Sequence, residues 1–515
     1  MIAHVRSAAL LGVDAFPVDV EVDISNGLPS FATVGLPLGA VKEGRERVHA
    51  ALQNAGFMLP LKRITVNLAP ADVRKDGSAF DLPIALAILA ASGQLPAEAL
   101  EGQLAVGEVG LHGDLRPVRG VLPIALAARG LGARGLVVPA GNVGEAAVVQ
   151  GLAVRGARSL AELVAHFAGR APIAPAEPPA RPLADAPRDD VDFADVRGQL
   201  VARRALEIAA AGGHNVLLVG PPGSGKTMLA RRLPTILPPL SLDEALEASR
   251  VHSVAGLLPA GASLVAARPF RAPHHTISDA GLIGGGRWPR PGEVSLAHHG
   301  VLFLDEFPEF RRHVLEALRQ PMEDGHVSLS RAATSLTFPA RFMLVAAMNP
   351  CPCGHRGDPV RACRCDPLAV ARYRARLSGP LLDRIDLHVE VPALPAADFT
   401  AGGTGEASAA LRARVMAARE RQLARQADRP AAVANARLGP RDLRRWCTPD
   451  AAGEQLLRAA MTRLGLSARA AQRALKVART IADLAGHAQV GAEHVAEAVQ
   501  YRLLDRGAGG PGAAA

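Results

Sequence analysis

The chain has 515 residues, 49% of them hydrophobic and 21% charged, and a formal net charge of +9. That length exceeds what one core organises, so roughly two to four globular domains are expected, and the composition excludes global disorder. Charges and Pro17 interrupt the first residues, and the longest apolar run, Leu82 to Ala91, is shorter than the roughly 18 residues of a membrane helix, so a soluble, cytoplasmic protein with no membrane partner is expected.

In chain order, Phe16 to Ser25 alternates as a strand does, and so does Arg63 to Pro70. Between them, Gly39 to Gly56 has helical spacing and ends on a glycine suited to a C-cap. Asp81 to Ser92 reads as a buried helix, and an α+β or α/β domain over residues 1–168 follows. Residues 169–190, GRAPIAPAEPPARPLADAPRDD, are rich in Pro and Ala and poor in large apolar side chains, which predicts a semi-extended linker.

Beyond the linker the pattern runs helix, strand, glycine loop, helix. The loop Gly220-Pro221-Pro222-Gly223-Ser224-Gly225-Lys226-Thr227 fits G-x-x-x-x-G-K-[ST], between the apolar strand NVLLV and the helix MLARRL. Its glycines let backbone N–H groups close around phosphate oxygens, and the helix N-terminus adds a favourable dipole. Lys226 is placed for the β- and γ-phosphates and the Thr227 hydroxyl for Mg²⁺, so ATP and Mg²⁺ are the expected cofactors.

Gly300 to Phe307 and Arg341 to Pro350 are further strands, apolar enough for a parallel sheet covered on both faces. The first brings Asp305 to the sheet's C-terminal edge as a second Mg²⁺ ligand, direct or through water. Glu306 beside it can polarise the attacking water. Residues 323–342, EDGHVSLSRAATSLTFPARF, alternate around a turn as a hairpin does. A flexible stretch, Pro395 to Ala410, leads into a mostly helical C-terminal part whose most regular segment is Ser467 to Gly486, and the tail from Arg506 is expected to be disordered.

Four of the five cysteines, Cys351, Cys353, Cys363 and Cys365, form C-x-C-x₉-C-x-C directly after MNP. Four thiolates at this spacing can complete a tetrahedral Zn²⁺ site, with His355 able to replace one. A reduced cysteine-rich loop and a redox switch are the other readings. Cys447 stands apart, as a small buried side chain. His274 and His275 are expected to be structural hydrogen-bonding residues, since no acid or cysteine lies at ligand spacing.

The segments DFADVRGQ, the phosphate loop, RPFRAPHHTIS, GGGRWPRPGEVSLAHHGVLFLDE, MNPCPCG and LSGPLLDRIDLHVEV together resemble the ComM/YifB family, AAA+ ATPases related to the motor subunit of magnesium chelatase. The resemblance spans nearly the whole chain. It implies an α/β architecture with an N-terminal Lon-protease-like (ribosomal protein S5-like) α+β domain, a central AAA+ parallel-sheet domain over 191–395 and a helical lid domain over 396–507, with a tail at 508–515. Asn349 then matches the polar residue that orients water at the γ-phosphate, and Arg384 in LLDRID matches an arginine finger reaching into a neighbouring subunit's site. Arg469 in LSARAAQRALK matches the second sensor, with Arg473 one turn on as its competitor. A finger acting in trans implies a homo-oligomer, in this class a hexameric ring. The family's inserts project toward a central pore, where Arg287, Arg290 and Arg331 can meet a phosphate backbone.

The N-terminal segments also resemble the Lon-protease fold. Aligning KDGSAF with its pattern K-D-G-P-S-A-G puts Ala79 at the nucleophile position and Ser78 one residue early. Leu122 stands at the lysine position, and residues 76–225 contain no lysine, so peptidase activity is not expected. The excess of basic residues suits a polyanion, although only five of the 58 Lys and Arg residues are lysine. Two functions stay open. One is a DNA helicase driving branch migration as incoming single-stranded DNA is integrated in natural transformation and recombination. The other is a chelatase-type motor that remodels a protein partner during metal insertion, without a DNA role.

Overall fold

The computed structural model describes residues 2–73, 75–179, 191–258, 263–286, 289–331, 334–358, 361–393, 405–429 and 432–502, with Arg331 and Thr334 described by backbone alone. Arg287, the linker beyond residue 179 and the tail from residue 503 therefore lie outside the described residues.

The N-terminal region is built on a seven-stranded mixed sheet. Ile2–Leu11 and Asp14–Ser25 form an antiparallel hairpin in register from Ile2↔Asp23 to Leu11↔Asp14. Its tight turn is possible because Gly12 takes φ 67. Val18, Val20 and Val22 face the core at 0% exposure, each side chain contributing roughly 1.5–3 kcal/mol by leaving water. Alternation fails in the first strand at Ser7-Ala8-Ala9, where successive residues are buried, so the period-two signal passes over it. The helix Asp81–Ala91 is buried on every side, as its unbroken apolar run requires.

The described start of the expected linker is tied back to this region, with Ala176 N–H donating to Val154 O at 2.7 Å and Ile173 N–H to His166 Nδ1 at 3.0 Å. On the other side, the helix Leu242–Ala255 of the central region docks against it. Gly120 N–H donates to Ser253 O at 3.1 Å, and the Ser253 hydroxyl donates to the buried Glu145 carboxylate at 2.7 Å.

The central region carries a five-stranded parallel sheet in the order Phe270–Arg271, Val301–Leu304, Met343–Met348, Val216–Val219, Leu387–Glu390. The phosphate-loop strand is paired on both sides, Val216 lying opposite Val345 and Leu387. Its four residues are all buried, which is why the run reads as apolar without alternation. Four longer helices, Ser408–Arg425, Ala451–Leu464, Ala468–Ala485 and Ala492–Gln500, form the C-terminal region. They share one core with the sheet through Leu206, Val216, Leu387, Leu411 and Val477.

The stretch expected to be flexible is fixed in its described part. Gly405 N–H donates to Ala194 O at 2.8 Å, and a Cβ on Gly405 would stand 2.4 Å from Val196 O. The helix then starts at Ser408, inside that stretch. The Gly and Ala content that suggested flexibility is here the condition for close backbone approach.

Candidate functional site

Three strands of the central sheet end at one edge, and the loops beyond them enclose a cleft of about 760 Å³. Pro222, Gly223, Gly225, Lys226 and Thr227 line it from the first loop, Asp305 and Glu306 from the second and Asn349 from the third. The strand Met343–Met348 lies between the phosphate-loop strand and the acidic one, so Asn349 stands between Lys226 and the carboxylates.

Gly223 and Gly225 have φ 79 and 91, conformations a side chain would strain. They let the loop wrap ahead of the helix Lys226–Ile236, whose free N–H groups and dipole face the cleft. Gly220 sits with its Cβ position 2.1 Å from Val391 O, so only glycine fits there. Lys226 Nζ donates to Gly220 O at 2.7 Å, Pro221 O at 2.9 Å and Asn349 Oδ1 at 3.3 Å. Burial pushes its pKa below the ordinary value, and the Asp305 carboxylate opposes that shift.

The Thr227 hydroxyl donates to Asp305 Oδ2 at 2.7 Å. Adjacent oxygens around an octahedral Mg²⁺ lie about 2.9 Å apart, so this pair fits two neighbouring ligand positions. Glu306 takes a left-handed backbone, φ 52, and its carboxylate meets His275, with Nδ1 to Oε2 at 3.0 Å.

That contact gives His275 an acidic partner that the local sequence does not show. Both His274 and His275 line the cleft, and only His274 has a purely local partner, the Thr276 hydroxyl at 2.9 Å. A further residue the sequence reading missed is Gln199, held at φ 50, whose amide donates to Ser224 O at 3.2 Å and Pro392 O at 2.7 Å. It lies in the motif DFADVRGQ, so the signal was present without a role attached.

The two expected arginines do not line this cleft. Arg384 is buried, donating from Nη1 to Pro380 O at 2.6 Å and pairing through Nη2 with Glu323 Oε1 at 2.5 Å. Its carbonyl accepts from Asn215 Nδ2 at 3.0 Å and Arg473 Nη1 at 3.2 Å. Asn215 immediately precedes the phosphate-loop strand, so Arg384 lies at the sheet edge opposite the cleft.

Arg473 is committed there too, its guanidinium 2.7 Å from Asp386 Oδ1. Burial alone would raise the Asp386 pKa, but Arg473 and His214 outweigh it and hold the carboxylate below its usual range. Arg469, at the first turn of the helix Ala468–Ala485, is exposed and has no ion pair among the described residues.

The hairpin His326–Arg331 and Thr334–Pro339 is present in continuous register. Val327 is buried, and Leu329 and Leu336 are packed near Val13, Val251 and Leu296. Arg290 is exposed. Cys351, Cys353, Cys363 and Cys365 converge, with their four sulfurs within 4.8 Å of one another, whereas His355 turns to Asp358, 3.1 Å away. In the N-terminal region the Ser78 hydroxyl donates to the Glu108 carboxylate, Lys75 is buried with Nζ on Pro70 O, and Leu122 is buried.

A phosphate loop on a parallel sheet, with a polar residue between the lysine and an Asp-Glu pair, defines a P-loop ATPase of the AAA+ class. The profile of the family described as magnesium chelatase, subunit ChlI, matches residues 192–399. Those described as subunit ChlI of Mg-chelatase and as magnesium chelatase, subunit ChlI C-terminal, match residues 20–142 and 405–502. The uncharacterized protein YifB of Salmonella typhimurium is 47% identical over 514 residues, 98% of each chain. The competence protein ComM of Haemophilus influenzae is 47% identical over 508 residues, again 98% of each. The magnesium-chelatase 38 kDa subunit of Rhodobacter capsulatus is 28% identical over 218 residues, 39% of this chain and 55% of its own. The chain belongs to the ComM/YifB family of magnesium chelatase-like AAA+ proteins, a membership that implies ATP hydrolysis. Among the described residues no helix is long and apolar enough to cross a membrane.

Proposed function

We propose that this chain is an ATP-driven ring motor acting on single-stranded or branched DNA, a helicase that promotes branch migration and integration of incoming single strands in natural transformation and recombination. The observation that carries the reading is a nucleotide cleft whose candidate loop, carboxylates and polar sensor converge, while Arg384 lies at the opposite sheet edge. Such an arginine serves a neighbouring cleft, where its rigid fork can neutralise charge on the transferring phosphoryl group. Full-length similarity to a protein named for competence supports the cellular role.

In this reading Gly220 to Thr227 hold the triphosphate, Thr227 and Asp305 hold Mg²⁺, and Glu306 and Asn349 orient and polarise water. Bound Mg²⁺ neutralises charge on the β- and γ-oxygens. Arg384 is supplied in trans and Arg469, from the lid, joins it as second sensor; a hexamer is the assembly this requires. The preference for Arg469 over Arg473 is supported by the ion pair that engages Arg473 with Asp386. Residues 1–168 form a Lon-like, peptidase-silent platform, 169–190 a linker, 191–395 the motor and 396–507 the lid, with 508–515 as tail. Ser78 beside a carboxylate, with Lys75 on a carbonyl, supplies no activated nucleophile. Arg290 and the hairpin face the strand in the pore.

A second reading, a motor remodelling a protein partner during metal insertion, is supported by the descriptions of the three matching family profiles. Against it, the chelatase relative aligns with only 39% of this chain. One assay separates the two. ATP hydrolysis by the purified chain is measured with and without single-stranded and forked DNA across a salt series. The DNA motor predicts several-fold stimulation, and DNA affinity falling by about 10³ or more between 50 and 200 mM salt if six or more phosphates are contacted. Indifference to DNA at low salt supports the protein-remodelling motor.

A further inference from the structure

The cysteine loop follows the strand Met343–Met348 and passes directly over the phosphate loop. Its thiols are free, and three of the four cysteines are only half-buried, so hydrophobic burial alone does not account for their gathering. Cys351 Sγ lies 3.4 Å from Cys353 Sγ and 3.6 Å from Cys363 Sγ, and Cys353 Sγ lies 3.7 Å from Cys363 Sγ. Cys353 N–H points at Cys365 Sγ at 3.4 Å. Covalent sulfur–sulfur bonds are about 2.05 Å long, so these are not disulfides. Around Zn²⁺, with Zn–S near 2.3 Å, tetrahedral sulfurs stand about 3.8 Å apart.

The loop carries a second observation. Gly354, at φ +84, packs so closely on the phosphate loop that a Cβ would stand 2.6 Å from Pro222 Cδ and 3.9 Å from Asn349 Cγ. Gly354 lies between Cys353 and His355, inside the loop the four sulfurs close.

We propose that Cys351, Cys353, Cys363 and Cys365 bind one Zn²⁺ ion, and that the ion holds Gly354 against Pro222, fixing the wall of the nucleotide cleft that carries Asn349. Four thiolates fill the coordination sphere, so the ion has no open position for substrate and its role is structural. The N–H of Cys353 on Cys365 Sγ is the outer hydrogen bond that steadies such a thiolate set. The metal count is independent of the motor reading, while the role in the cleft rests on its nucleotide assignment.

The test uses the full chain purified without a metal-binding tag. Elemental analysis after dialysis should find about one zinc per chain, and growth with cobalt should give the visible absorption of a tetrahedral cobalt–thiolate site. No metal, with the half-buried thiols of Cys353, Cys363 and Cys365 freely titratable in the native state, overturns the proposal, and so does iron in zinc's place. The double variant Cys363→Ser/Cys365→Ser should lose the zinc and bind a fluorescent ATP analogue about tenfold more weakly while keeping its far-ultraviolet dichroism. If that variant does not fold, chelator extraction of zinc from the wild-type chain gives the same comparison. Zinc loss with unchanged nucleotide affinity overturns the clamp.

Discussion

His275 Nδ1 lies 3.0 Å from Glu306 Oε2, so the carboxylate proposed to polarise water already has an imidazole partner. A water approaching that carboxylate oxygen must compete with the imidazole for it. His275→Ala should therefore raise DNA-free ATP turnover several-fold with little change in KM, measured by steady-state phosphate release. A tenfold loss of kcat instead would show that the histidine orients the base and does not restrain it.

Arg384 is held by Glu323, which lies in the last turn of the short helix Arg319–Asp324, just before the hairpin strand His326–Arg331. Glu323 is half-exposed, and ion pairs of that kind are worth roughly 0.2–1 kcal/mol. If Arg384 is the proposed finger, Glu323→Gln should free it and raise DNA-free hydrolysis up to about fivefold, while Arg384→Ala should stop turnover and leave nucleotide binding intact. Unchanged kinetics in Glu323→Gln would make the contact incidental.

Lys226→Ala should abolish ATP binding, since its three present partners are all loop and sensor oxygens that the phosphates replace. Glu306→Gln should bind ATP normally and lose roughly 10²-fold or more in kcat, the usual contribution of a positioned base. Equilibrium binding of a labelled analogue beside single-turnover hydrolysis separates the two effects.

The lid is fastened through Asp386, whose folded-state pKa lies below its unfolded value. The sign follows from that direction. Its contribution is present above the unfolded pKa, about 4, and is lost as pH falls below it toward the folded pKa. Asp386→Asn should cost roughly 3–5 kcal/mol at pH 7, because Arg473 and His214 lose a buried partner. Denaturant unfolding followed from pH 7 to 3 should then show the variant's deficit shrinking in acid.

Local signals were legible in the sequence. Gly220 to Thr227 punctuate an apolar strand and a helix, and Asp305, Glu306 and Asn349 follow apolar runs that end at one sheet edge. The cysteine spacing likewise announced a cluster. Contacts made by the fold were not legible. His275 meets Glu306 only because neighbouring strands bring their loops together, and nothing in PHHT distinguishes that histidine from His274. Glu323 and Arg384 are joined by packing across loops, and Gln199 reaches the phosphate loop through a left-handed turn that no periodicity marks. Gly405 read as flexible for its composition, whereas its missing Cβ is what lets it dock.

In the proposed ring each ATP site is finished by the adjacent subunit, which mixing two inactive variants puts to the test. Lys226→Ala and Arg384→Ala, each inactive alone, are combined in equal amounts with DNA and ATP. If the arginine acts in trans, random rings contain intact loop–finger pairs and recover about a quarter of wild-type hydrolysis. If the mixture stays as inactive as its components while forming mixed oligomers, Arg384 does not serve its neighbour and the ATP site is not shared between subunits.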